Sequence, residues 1–410
     1  MQTHLAAFIK DTPHGCEADS ILRKCVHCGF CLATCPTYQL LGDELDGPRG
    51  RIYLIKQMLE GQIPTAKTQL HLDRCLTCRA CETACPSGVQ YGRLLDIGRH
   101  NVAMQTRRNS FDLLKRKVLR TVTTNRTIFM LLLKFCQFAR PLLPQALQRK
   151  VPTHARTITW PNSAHARKML VLEGCVQPSL SPNTNAAAAR VLDRLGITLV
   201  RTPQAGCCGA IPHHLDAQHE GLEYMRRNID AWWPYIEQGI EAIVITASGC
   251  GVMVADYGYL LADDPAYAEK ARHVSALAKD IGDIIWDGKD RLKAIAPPVS
   301  SHTADRIAFH SPCTLQHGLK LSGRVEALLA DFGFEMTTVP DSHLCCGSAG
   351  TYSILQHKLA QQLLKNKITA LESDRPSSIL TANIGCQSHL QSATHLPVTH
   401  WIEGLDARLG

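Results

Sequence analysis

A chain of 410 residues with 45% hydrophobic content can bury a sizeable core, and its length suggests about two to four domains. Its net charge of +8 comes from Lys and Arg scattered along the chain rather than gathered in one run, which speaks against a nucleic-acid partner. Eighteen cysteines in a chain this long, opening without a secretory pattern, are expected as reduced thiolates in a cytosolic protein rather than as a disulfide scaffold.

The first element in chain order is Cys25-Val-His-Cys28-Gly-Phe-Cys31-Leu-Ala-Thr-Cys35-Pro36, and Cys75-Leu-Thr-Cys78-Arg-Ala-Cys81-Glu-Thr-Ala-Cys85-Pro86 repeats its spacing position for position. Both follow the C-x2-C-x2-C-x3-C-P pattern of bacterial ferredoxins. Three thiolates two residues apart wrap a loop around three irons of one cube. The fourth cysteine points at the other cube, which it ligates in two-cluster ferredoxins. Cys25, Cys28, Cys31 and Cys85 are therefore assigned to one 4Fe-4S cluster, and Cys75, Cys78, Cys81 and Cys35 to a second. Zinc, the other metal that C-x2-C serves, needs four ligands in all and does not explain two such blocks in register. The stretch between Cys35 and Cys75 is longer than a small ferredoxin needs, and it includes Gly47-Pro-Arg-Gly-Arg-Ile52 and a helical 52–59. A helix-rich two-cluster ferredoxin domain is expected over 1–100, of the kind that joins flavoproteins to quinone.

Residues 101–167 have a different character. Arg107, Arg108, Lys115, Arg116, Lys117 and Arg120 precede an apolar patch with Ile128, Phe129, Leu131, Leu132, Leu133 and Phe135, and Pro141, Pro144, Pro152 and Pro161 follow. One or two helices and then a linker are expected. No run reaches the roughly 18 apolar residues of a membrane span. Any membrane contact is therefore expected from the side, through an interfacial amphipathic surface over 111–147. More often such a stripe packs on the protein's own core or on a partner. The expected location is cytoplasmic, or peripheral on the cytoplasmic face of the inner membrane.

An internal repeat fills the rest. The first copy runs Lys168-Met-Leu-Val-Leu-Glu-Gly-Cys175, then on to Cys207-Cys208-Gly209 and finally Cys250. The second runs Arg306-Ile-Ala-Phe-His-Ser-Pro-Cys313, then on to Cys345-Cys346-Gly347 and finally Cys386. The interval from the lone cysteine to the Cys-Cys pair is the same in both copies, and the interval from the pair to the last cysteine nearly so. Each copy reads as strand, helix (184–195; 323–332), strand, Cys-Cys-Gly, helix, strand (242–246; 378–381) and Gly-Cys. Two α/β modules with largely parallel sheets follow, over 168–297 and 298–410. The cysteines then fall at strand-to-helix turns, which converge at the carboxyl ends of parallel strands. Cys16 and Cys136 stand outside every pattern and read as ordinary thiols.

The two modules resemble the cysteine-rich domain family of heterodisulfide reductases, whose motif is a lone Cys, Cys-Cys-Gly and a final C-x-x-C. That family binds a further iron-sulfur centre there. This chain departs at the last position, with Cys250-Gly-Val-Met253 and Cys386-Gln-Ser-His389, so a five-thiolate double cube is not expected. Four cysteines per module suffice for a single 4Fe-4S cluster: Cys313, Cys345, Cys346 and Cys386 for a third, and Cys175, Cys207, Cys208 and Cys250 for a fourth. Empty or zinc-filled modules are the alternatives. His310, His317, His343 and His389 lie near the cysteines of the second module as outer donors rather than ligands.

Neither G-x-G-x-x-G nor G-x-x-x-x-G-K-[ST] occurs, so the chain is expected to pass single electrons between a flavoprotein donor and an acceptor, with no catalytic residue of its own. The run Cys25-Val-His-Cys-Gly-Phe-Cys31, the phrase from Tyr38-Gln-Leu-Leu-Gly-Asp-Glu to Arg51-Ile-Tyr-Leu-Ile-Lys56, and Pro340-Asp-Ser-His-Leu-Cys-Cys-Gly-Ser-Ala-Gly-Thr-Tyr352 resemble the iron-sulfur subunits of bacterial glycolate oxidases (glycolate dehydrogenases). The resemblance implies flavin-binding partner subunits that oxidise glycolate to glyoxylate. It further implies delivery of the electrons through this chain toward a membrane quinone. Subunits of anaerobic glycerol-3-phosphate dehydrogenase or lactate-oxidising complexes share the module order. A heterodisulfide-reductase-like catalytic subunit is the remaining alternative.

Overall fold

The computed structural model describes all residues except 143, 145–147, 149–150, 153–158 and 298–305. Much of the expected linker, the end of the 111–147 segment and the start of the second repeat at 298 lie outside the described residues. The chain divides into two units, Met1–Lys117 with His343–Lys367, and Val118–Ser342 with Ile368–Gly410.

The first unit is helical. Pro13–Lys24, Pro48–Leu59 and Tyr91–Gln105 surround a core that includes Ile21, Leu22, Ile55, Met58, Leu94 and Leu95. Local chemistry sets where these helices begin. Thr12 Oγ1 accepts from Gly15 N at 3.0 Å and Pro13 fills the first helical position, where a missing N–H costs nothing. Pro48 opens the second helix in the same way, a turn earlier than the helix expected over 52–59. Thr65 and Thr68 cap Ala66–Asp73 reciprocally.

The second unit holds two four-stranded sheets. The first comprises β1 (Arg167–Val171), β2 (Ile197–Arg201), β3 (Ile243–Ile245) and β4 (Ala278–Asp280), in the order β2-β1-β3-β4. The second comprises β5 (Arg306–His310), β6 (Glu335–Met336), β7 (Ser378–Thr381) and β8 (Val398–His400), in the matching order β6-β5-β7-β8. Every pairing is parallel. The repeat is therefore two α/β modules of one topology, and the expected helices appear at Asn183–Arg194 and Arg324–Asp331.

Both faces of the first sheet are covered, as parallel strands require. Along β1, Met169 and Val171 join a core that continues through Ile307, Phe309 and Leu380 of the second sheet. The alternate residue Leu170 faces a separate cluster with Met225, Trp232 and Tyr257.

The basic segment forms two helices, Ser110–Thr124 and Arg126–Ala139. Its charges are largely engaged within the protein. Arg116 is buried against Asp73 at 3.0 Å and Asp112 at 2.9 Å, Arg108 also pairs with Asp73, and Arg120 lies 3.2 Å from Glu220. Helix Arg126–Ala139 buries none of its residues and exposes Leu131, Leu132, Phe135 and Phe138.

Candidate metal centres

Each N-terminal cysteine block folds as a loop running into a single helical turn, Phe30–Ala33 in the first and Ala80–Thr83 in the second. Cys31 and Cys81 sit in those turns, with Cys35 and Cys85 just past them. The loops repeat one backbone conformation, left-handed at His27 and Thr77 and again at Gly29 and Arg79. For Thr77, β-branched at φ +55°, this conformation costs on the order of 1–3 kcal/mol. Strain recurring at matched positions marks a geometry that the cysteines impose.

The two blocks interleave. One cleft is lined by Cys25, Cys28 and Cys31 together with Cys81 and Cys85. A second is lined by Cys75, Cys78 and Cys81 together with Cys35. Pro48, Cys81 and Tyr91 border both clefts. Crowding shows in the acidities: burial, then the neighbouring Cys25 thiolate, pushes Cys31 up to about 11, and burial followed by Cys78 and Cys75 holds Cys81 well above the ordinary thiol range. Four thiolates packed this closely repel one another unless a cation binds them, so the donor set fits an iron-sulfur core. Amides already point at the sulfurs: Thr77 N lies 3.4 Å from Cys75 Sγ and Val89 N 3.5 Å from Cys85 Sγ, and Thr37 Oγ1, which donates to the Asp46 carbonyl at 2.7 Å, lies 3.3 Å from Cys35 Sγ. Such bonds stabilise the anionic form and help set a cluster's potential.

Polar residues that the motif does not contain surround the second cleft. Arg51, 1% exposed, lines it from the helix Pro48–Leu59. Its Nε donates to the His71 carbonyl at 2.7 Å, and its Nη2 lies 3.2 Å from Thr37 Oγ1 and 3.4 Å from Asp46 Oδ1. Asp46 is fully buried and takes Arg74 on its other oxygen at 2.7 Å. Burial works against the Arg51 charge, but the Tyr91, Cys75, Cys35 and Asp46 groups outweigh it and hold the guanidinium more firmly protonated than usual. Arg99 donates to the Cys75 carbonyl at 2.8 Å and to Thr77 Oγ1 at 3.3 Å. The only signal for Arg51 in the sequence is its place in the insertion Gly47-Pro-Arg-Gly-Arg; nothing in the cysteine spacing points to Arg99.

In the first α/β module, Cys175 follows β1, Cys207 and Cys208 follow β2, and Cys250 lies in the helix Ser248–Ala255 after β3. Because β2, β1 and β3 are adjacent, these loops meet beside the strand where the winding direction reverses. The four thiols act on one another's acidity in series, Cys175 with Cys207, Cys207 with Cys208 and Cys208 with Cys250. The bond to Cys207 and burial raise Cys175 well above the usual thiol range. At Cys208 the bond received from Cys207 lowers the pKa, but the bond given to Cys250 and full burial outweigh it. Asn228, fully buried, holds the Cys-Cys turn by accepting from Gly206 N at 2.9 Å and donating to the Cys207 carbonyl at 2.8 Å, while the Tyr257 hydroxyl donates to the Cys208 carbonyl at 2.9 Å.

The glycine of Cys-Cys-Gly has a physical cause in both copies. Gly209 has φ +87°, and a Cβ there would lie 2.6 Å from the Gly221 carbonyl of helix Gln218–Ile236. Gly347 has φ +88°, and its Cβ would lie 2.8 Å from the Ala360 carbonyl of helix His357–Glu372. Each glycine amide donates back to the first cysteine of its pair, Gly209 N to Cys207 Sγ at 3.5 Å and Gly347 N to Cys345 Sγ at 3.4 Å.

The cysteines of the second repeat are divided between the units. Cys313, just after β5, and Cys386, in helix Ile384–Gln391 after β7, belong to the second unit. A ring nitrogen of His310, at the end of β5, lies within 4.8 Å of Cys386 Sγ, and Asn383 Nδ2 donates to that sulfur at 3.5 Å. Cys345 and Cys346 belong to the first unit, as does His343. There Tyr352 donates to the Arg74 carbonyl at 3.1 Å. Burial, then the Cys75 thiolate, raises its phenol, and Cys345 adds to the effect. His317 lies in the turn Thr314–Gly318 and His389 in the helix Ile384–Gln391, both in the second unit. Cys16 and Cys136 are exposed and lie outside these sites.

The 4Fe-4S dicluster domain family matches residues 21–89, and the cysteine-rich domain family matches 169–255 and 307–391. The chain is 55% identical to the glycolate oxidase iron-sulfur subunit of Escherichia coli (strain K12), over 100% of this chain and 99% of that protein. It is 28% identical to a probable glycolate oxidase iron-sulfur subunit of Bacillus subtilis (strain 168), over 89% and 87% of the two chains. Lactate utilization protein A of Bacillus licheniformis is 25% identical over 57% of this chain and 97% of its own length.

Proposed function

This chain belongs to the family of glycolate oxidase iron-sulfur subunits, and on that premise we propose that it carries electrons inside a glycolate-oxidising complex. Flavin-binding partner subunits take two electrons from glycolate as glyoxylate forms, and this chain receives them singly and delivers them toward a membrane quinone. Full-length similarity favours glycolate over lactate, since the lactate utilization relative aligns with only 57% of the chain.

The observation that carries the reading is the interleaving of the two N-terminal blocks into two adjacent clefts. Cys25, Cys28, Cys31 and Cys85 would hold one 4Fe-4S cluster, and Cys75, Cys78, Cys81 and Cys35 the other. Bound clusters supply one-electron redox chemistry at these sites. The protein's part is positioning. The strained loops hold three sulfurs of each set and the following turn brings the fourth across, while backbone amides donate to the sulfurs. Shared walls at Cys81 and Tyr91 keep the two sites adjacent. In the first α/β module, Cys175, Cys207, Cys208 and Cys250 would hold one further cluster, and the second repeat carries the same cysteine pattern.

Among the described residues no helix is long and apolar enough to cross a membrane. The exposed face of Arg126–Ala139 is the surface offered to the inner membrane's cytoplasmic side. Iron and acid-labile sulfide analysis, with EPR of the dithionite-reduced protein, tests the cluster assignment on wild type and on Cys207→Ser/Cys208→Ser and Cys345→Ser/Cys346→Ser double variants. About eight irons belong to the N-terminal pair, and each occupied module adds about four. A wild type with fewer than about eight irons would overturn the reading. Losses of about four irons in each double variant would establish both modules as cluster sites, and no loss would leave them structural.

A further inference from the structure

The two N-terminal sites differ in the charge that the protein builds around them. At the second, Arg51 is 1% exposed and Arg99 is 9% exposed, and both reach the cysteine loops. Arg51 lines the same cleft as Cys35 and Cys75, while Arg99 gives its hydrogen bonds to neutral oxygens: the Leu72 carbonyl at 3.3 and 2.9 Å, the Cys75 carbonyl at 2.8 Å and Thr77 Oγ1 at 3.3 Å. The buried carboxylate in this group is Asp46, and its charge is shared between Arg51 and Arg74. Tyr91, also buried, lines the same cleft.

At the first site the cations lie in water. Arg49 lines the cleft with its side chain 34% exposed and is paired with Glu44 at 2.6 Å. The half-exposed Met1 ammonium donates to the Cys25 carbonyl at 3.0 Å. Charges near solvent are screened, whereas the same charge held in the interior acts several times more strongly on a neighbour. A cluster gains one negative charge on reduction, so fixed buried cations favour its reduced form.

We propose that Arg51 and Arg99 make the Cys35, Cys75, Cys78, Cys81 site the higher-potential member of the N-terminal pair, the place where an electron comes to rest. The proposal rests on the cluster assignment above. One electron is lost at the first site and one gained at the second, with no bond formed or broken and no proton required. Both guanidiniums act as positioning charges through the cysteine loops and touch no substrate.

EPR-monitored redox titration of anaerobically purified full-length protein, alongside iron and sulfide counts, tests this. Asp46→Asn removes a negative charge and Arg99→Gln a positive one, so the two variants should move the higher of the two N-terminal midpoints in opposite directions, up and down respectively, leaving the lower midpoint in place. Arg51→Lys, which keeps the charge, should hold the midpoint near the wild-type value. A residue that merely supports the fold would not produce shifts of opposite sign. If the lower midpoint moves instead, if neither moves, or if both charge-changing variants lose iron, the proposal is overturned. A wild type without N-terminal clusters would instead refute the assignment on which it rests.

Discussion

Replacing Gly209 by alanine isolates the close approach that gives the Cys-Cys-Gly motif its last residue. Alanine at φ +87° carries the left-handed penalty of about 1–2 kcal/mol. Its Cβ would also lie 2.6 Å from the Gly221 carbonyl, backbone of a helix that cannot yield as a flexible side chain would. Overpacking of that kind costs about 1–3 kcal/mol, so the expected total is about 3 kcal/mol. Gly239 provides the control in the same unit, since its φ is +83° but nothing lies within 4 Å of its added Cβ. Gly239→Ala should cost only the backbone penalty, about 1 kcal/mol. Urea unfolding of the metal-free protein, followed by tryptophan fluorescence, reads the difference; Trp232 lies fully buried on the helix that Gly209 abuts. Equal destabilisation by the two substitutions would refute the argument that contact with the helix, rather than φ alone, demands glycine. The Gly347→Ala variant should behave as Gly209→Ala does, its clash being with Ala360.

Asn228→Ala should cost about 2–3 kcal/mol, because it leaves the buried Gly206 amide and Cys207 carbonyl without their partner; chelator challenge should then strip iron from the first module before the N-terminal sites, and unchanged release would count against Asn228 as the anchor of that turn. His400 is fully buried, receives a bond from Ile402 N and gives one to the Thr246 carbonyl, yet burial pushes its pKa down to about 4. A depressed histidine contributes stability that is complete above its unfolded value near 6.5 and is lost as pH falls toward 4, about 3 kcal/mol in all. His400→Asn should flatten that acid branch, and denaturation curves between pH 7 and 4 that keep the wild-type slope would exclude His400 as its source. Phe135→Ser with Phe138→Ser should abolish cosedimentation with anionic vesicles, and equal binding by variant and wild type would remove the helix Arg126–Ala139 as the membrane-facing surface.

Cysteine spacing made the N-terminal sites legible because the constraint is local. Three thiolates on one loop must be two residues apart, whatever surrounds them. The α/β repeat was legible through a different regularity, two copies with the same interval between the lone cysteine and the Cys-Cys pair, and the observed matching strand orders follow from it. Helix ends were less so: the helix over 48–59 starts at Pro48 because proline suits a first turn, a signal present in the sequence but masked by the apolar run that follows. The basic run 107–120 suggested a charged surface, yet Arg108 and Arg116 pair with Asp73. A charge's partner so far along the chain leaves no trace in composition.

The iron-sulfur character and the repeat architecture were legible in the sequence alone, since each depends on spacing along the chain. Tertiary structure alone decided the surroundings of the sulfurs. Arg51 and Tyr91 line the second cleft, Asp46 bonds to Arg51 and Arg99 bonds to the Cys75 carbonyl, because folding brings their segments together and removes the water between them. Their effect depends on distance and burial, and neither is written in residue order.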